Sequence, residues 1–118
     1  MITQELQRLV MTHIKDLVAN ADLGLGGNST NPINNTLDVP LGLNISGGSI
    51  VKSDSDENVL EVKVSVNSST ISGKVIREIA LFDNTSPTKK MLQRLNFDGV
   101  GPFAANEVIE FLIHIEVE

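Results

Sequence analysis

Gly73–Asp83 reads Gly-Lys-Val-Ile-Arg-Glu-Ile-Ala-Leu-Phe-Asp, and its two alternate faces are Val75, Arg77, Ile79, Leu81 and Ile76, Glu78, Ala80, Phe82. The density of β-branched and aromatic residues predicts a strand. Both faces are mostly apolar, so the strand is expected to be covered on each side and central in its sheet. Arg77 and Glu78 interrupt the pattern side by side and therefore point to opposite faces, where they cannot simply pair with one another. Each needs another partner or a route to water, because a lone buried charge costs several kcal/mol.

Outward from this stretch, the chain reads as short strands. Val59 to Asn67 places Leu60, Val62, Val64 and Val66 on one face and Glu61, Lys63, Ser65 and Asn67 on the other, as in a half-buried antiparallel strand. Lys89 to Phe97 carries Met91, Gln93, Leu95 and Phe97 opposite Leu92, Arg94 and Asn96. Glu107 to Glu118 alternates most cleanly, with Ile109, Phe111, Ile113, Ile115 and Val117 expected inward. On the N-terminal side, Ser49 to Ser53 precedes an acidic turn at Asp54–Asn58. Leu37 to Leu43 is interrupted by Pro40, which suits an edge or a bulge.

Thr3 to about Asn20 predicts the one helix. Thr3 can cap it, Glu5 lies in the first turn, and Gly24 is a stop signal. Leu6, Leu9, Val10, His13, Ile14, Leu17 and Val18 form a broad apolar stripe that must bury itself against the sheet or against copies of the chain. His13, inside the stripe, reads either as a pH-sensitive interface residue or as a packed, hydrogen-bonded histidine. Leu23 to Thr36 is dense in turn formers and is expected to be an ordered excursion from helix to sheet. One helix followed by roughly six closely spaced strands predicts a mainly β fold: a single domain over 1–118, its helix at 3–20 and its sandwich at 37–118. The expected architecture is an antiparallel β-sandwich or jelly-roll-like domain with one N-terminal α-helix.

Composition removes most chemistry. The 118 residues carry a formal net charge of −6, with no Trp and no Tyr, which argues against nucleic-acid binding and against a lectin that stacks sugars on aromatics. With no Cys there is no disulfide framework, thiolate metal site or cysteine nucleophile. The start lacks a signal-peptide pattern, and no stretch reaches the ~20 apolar residues that span a bilayer, so no membrane partner is expected. The acidic cluster at Asp54, Asp56 and Glu57 fails the calcium-loop pattern, because its sixth position is Val59 where glycine is needed. The glycines of Leu23–Thr36 lack the Gly-Lys-Ser/Thr ending of a phosphate loop, and no serine sits in a Gly-x-Ser-x-Gly elbow. Neither a cofactor, a metal nor catalysis is expected.

Ile76-Arg77-Glu78-Ile79-Ala80-Leu81-Phe82-Asp83 resembles the Ile-Arg-Glu-Ile-Gly-Leu-Phe-Asp string of tailed-bacteriophage tail-collar fibre proteins and related small virion proteins, departing at Ala80. The loop Gly24–Pro32, the Leu92-Gln93-Arg94 strand start and the alternating C-terminal strand agree more loosely. The resemblance implies a non-catalytic virion component, made in the host cytoplasm. Because the chain stops at Glu118, it is expected to be a separate adaptor at the tail, baseplate or fibre attachment, or else a decoration protein on the major capsid protein. Either use favours a homo-oligomer, with a trimer expected. Leu6, Val10, His13 and Leu17 would line its axis, and the loops holding Asn28, Thr30 and Asp98–Asn106 would grip a neighbour.

Overall fold

The computed structural model describes residues 1–27, 37–56, 59–85, 89–104 and 106–116. It is mainly β, with two antiparallel sheets in a sandwich-like arrangement and one N-terminal helix. Helix α1 (Gln4–Leu17) starts as expected: the Thr3 hydroxyl accepts a hydrogen bond from the Leu6 amide at 3.2 Å. It ends earlier than expected, at Leu17, with Val18 already extended. The reason is tertiary. Asn20–Gly24 is drawn into strand β1, which pairs antiparallel with the central strand, so the helix cannot continue to Asn20. The Lys52 ammonium donates to the carbonyls of Lys15 and Val18, both at 2.7 Å, and caps the helix end.

The remaining strands are β2 (Ile45–Ser46), β3 (Ile50–Asp56), β4 (Val59–Asn67), β5 (Ile76–Phe82), β6 (Met91–Val100) and β7 (Val108–Glu116). They form a four-stranded sheet in the order β2-β1-β5-β6 and a three-stranded sheet in the order β3-β4-β7. The decisive stretch is where its pattern puts it. β5 is paired on both edges, Ile79 standing opposite Leu23 of β1 and Leu95 of β6, and Ile76, Ile79, Ala80 and Leu81 are buried. Pro40 makes only an isolated bridge to Gly24. The acidic segment does not turn at Asp54: β3 runs on through Asp56, with a register shift against β4.

The core lies between the sheets. Leu23, Ile79 and Leu81 come from one layer and Leu60, Val62, Val64 and Ile113 from the other, with Ile71 beside them. Each fully buried side chain of this size contributes about 1.5–3 kcal/mol. On the β3 side, α1 inserts Met11 and Val18 into this core, with Ile14 packed against it. On the opposite side β6 and β7 leave an open seam, bridged by Phe97 and Phe111, whose ring centroids are 6.4 Å apart. The start of β7 is fastened to the end of β4 through buried Ser68, whose amide donates to the Glu107 carbonyl (2.8 Å) and whose hydroxyl accepts from the Glu107 amide (2.9 Å).

Candidate association surfaces and the clamp behind them

Glu78, from the string that carries the resemblance, is fully buried. Its Oε2 accepts from the amides of Gly26 and Val39, both at 2.9 Å, and its Oε1 from the Asp38 amide at 2.9 Å. The Arg94 Nη2 lies 3.3 Å from Oε1 and 2.8 Å from Asp38 Oδ1. Burial pushes the Glu78 carboxyl up, but the Val39, Asp38 and Gly26 amides together outweigh it and hold the pKa below the ordinary glutamate value. On neighbouring β1, Asp22 acts likewise: Oδ1 accepts from the Leu43 amide at 2.9 Å and Oδ2 from the Gly42 amide at 3.0 Å. Two strand carboxylates thus fasten irregular backbone on both sides of the Gly24–Pro40 bridge, satisfying amides that have no ladder partner. The approach is close enough that a Cβ added at Gly24 would collide with the Glu78 side chain.

Asp83 closes the same string. Its carboxylate accepts from the Thr85 hydroxyl at 2.6 Å, the Lys90 amide at 2.7 Å and the Thr85 amide at 3.0 Å, and these bonds lower its pKa. Arg77, in contrast, is exposed. The adjacent charges have opposite fates, set by the faces on which they stand. Glu78 and Asp83 are therefore the fastening residues of the string, while Ile76, Ile79 and Leu81 lie in the core and Phe82 is half-buried.

The helix stripe is divided. Ile14 and Val18 turn towards the sheets, joined by Met11 from outside the stripe, while Leu6 and Leu9 are 46% and 52% exposed and Val10 and Leu17 each 37%. His13 is exposed on that outward side, so the packed-histidine reading is corrected. The stripe spans more of the helix circumference than the sheets cover, and the anchored C-terminal end decides which flank is buried. Asn28 and Thr30 lie outside the described residues. Of the Asp98–Asn106 loop, Asp98–Val100 proves to belong to β6.

The seam between β6 and β7 holds an apolar cleft of about 250 Å³, lined by Leu95, Phe97, Val100, Phe111, Leu112 and Ile113 among others. It escapes sequence reasoning because its walls come from two strands that are not partners in either sheet. Among the described residues no three His, Cys, Asp or Glu side chains group so as to hold a metal. Asp54 stands 3.8 Å from Lys15, and His114 3.4 Å from Glu61 on an exposed face. No described helix is long and apolar enough to cross a membrane. Comparison with protein-family models, with curated proteins and with solved structures returned no match.

Proposed function

We propose that this chain is a non-catalytic structural component of a phage virion, an adaptor at the tail, baseplate or fibre attachment that works by packing against neighbouring virion proteins and copies of itself. The observation that carries the proposal is the outward flank of α1. Leu6, Leu9, Val10 and Leu17 present a contiguous apolar stripe on the surface of a small acidic protein, as expected of an association site. The resemblance at Ile76–Asp83 supplies the virion context, and the Glu78 clamp gives that string a physical purpose: it ties Gly26 to Asp38 and Val39. Three copies of α1 packed stripe to stripe would give the trimer expected of a fibre-associated protein.

Light scattering on the full chain at micromolar concentration should report an assembly built on three copies, and the double substitution Leu6→Asp, Val10→Asp should lower its mass threefold with the fold intact. A wild-type monomer would overturn the self-association through α1. Gold-labelled antibody on particles purified from cells that make the chain should mark the tail or baseplate. Label confined to the head would transfer the chain to capsid decoration, and particles free of label would overturn the virion assignment.

A further inference from the structure

We infer that β7 is a self-association edge, through which two copies of the chain pair antiparallel about a two-fold axis at Leu112 and join their three-stranded sheets into one continuous sheet. Free sheet edges are a liability that proteins manage by shortening, bulging or covering them, and among the described residues three of the four edges are managed. β2 is two residues long. β3 shifts register between Asp54 and Asp56 and is bound to the end of α1 through Lys52. β6 shifts register twice against β5 and contains Gly99 at φ 121°. β7 differs from them all. It runs nine residues in unbroken register with β4, without Gly or Pro, and among the described residues no strand pairs with its far edge.

The pattern of β7 is self-complementary in one register. Leu112 is the midpoint of Val108–Glu116, so an axis there overlaps the whole strand. On the exposed face, Leu112 meets Leu112 of the second copy, Glu110 meets His114, and Val108 meets Glu116. On the core face, Phe111 meets Ile113 and Ile109 meets Ile115. His114 is the one residue of β7 able to carry a positive charge, and it falls opposite Glu110, with Glu61 of its own β4 already 3.4 Å away. Other registers are worse. An axis at Glu110 or His114 sets like residues against each other, one at Phe111 sets Glu110 against Leu112, and one at Ile113 sets Glu110 against Glu116. An axis normal to the sheet keeps both core faces on the same side, so the two β6–β7 clefts open towards each other and cover their apolar walls. The pairing is independent of the role proposed for α1.

The absence of native cysteines makes the register directly readable. Directly opposed Cβ atoms lie about 4.5–5.5 Å apart, within reach of a disulfide after small adjustment. Leu112 is 59% exposed and Val108 is 68% exposed, so a cysteine at either should leave the fold intact. Under mild oxidation at micromolar concentration, Leu112→Cys should become a covalent dimer while Val108→Cys forms no disulfide, and Val108→Cys with Glu116→Cys should again cross-link. Adding His114→Glu to Leu112→Cys places two pairs of like charges across the axis and should slow cross-linking about tenfold. Adding Leu6→Asp and Val10→Asp instead should leave the rate unchanged. Equal cross-linking of Leu112→Cys and Val108→Cys, or none at Leu112→Cys, would overturn the proposal, as would indifference to His114→Glu.

Discussion

β5 and β7 are both legible as strands from their side-chain pattern, yet they occupy opposite situations. β5 has both edges paired, and five of its seven residues are buried. Among the described residues β7 has one edge paired, and of its nine residues only Ile113 is buried. The cleaner alternation belongs to the more exposed strand. Side-chain periodicity reports which face a residue takes; it is silent on edges, because the backbone groups that pair edges are the same in every strand. The interior strand can even hold a carboxylate, since amides are aimed at it, whereas the edge strand keeps its charges where water reaches them.

The largest expected effect breaks the interior side of this contrast. Glu78→Ala removes the acceptor for three amides and one of the carboxylates beside Arg94, and should cost about 3–5 kcal/mol in urea unfolding; a loss below about 1 kcal/mol would show that the clamp contributes little. Next, Ile113→Ala should cost about 2–4 kcal/mol by leaving a cavity, while Leu112→Ala, its neighbour on the other face, should change the stability of the separated monomer by no more than about 0.5 kcal/mol. Similar losses at the two positions would mean that β7 is covered on both sides. Gly24→Ala, forcing a methyl group against Glu78, should cost about 1–3 kcal/mol in the same measurement.

The smallest effect sharpens the role of the fastened carboxylates. Glu78 and Asp83 both have folded pKa values below their unfolded ones, so the unfolded chain binds protons first as pH falls. Their contribution is complete above the unfolded values, about 4.3 and 3.9, and is lost as pH drops through the folded values. Unfolding midpoints measured from neutral to acid pH should fall below about pH 4, and less steeply in Glu78→Gln. An equal slope in both proteins would remove Glu78 as a contributor.

Much of the fold was legible because burial enforces period. Leu60, Val62 and Val64 face the core as their alternation requires, and Thr3 caps α1. What escaped reading was decided by distant partners. β1 was hidden by the surrounding turn formers and forms because β5 offers Ile79 and Leu81 opposite Leu23 and Ala21. Met11 lies outside the obvious stripe, yet it is the helix residue most deeply buried. That Glu78 would be the buried charge and Arg77 the exposed one depended on which face of β5 meets the Gly26, Asp38 and Val39 amides, and neither residue encodes that. The edge character of β7 depends on strand order, a property of the assembled sheet.

Amide hydrogen exchange across a range of protein concentrations tests the contrast between interior and edge most directly. Amides of Ile76–Phe82 should exchange slowly at every concentration. Every second amide of Val108–Glu116, those facing the open edge, should exchange fast in dilute solution and become protected as concentration rises, symmetrically about Leu112. Protection of β7 that is complete and independent of concentration, or exchange in β5 as fast as at the open edge of β7, would contradict the account.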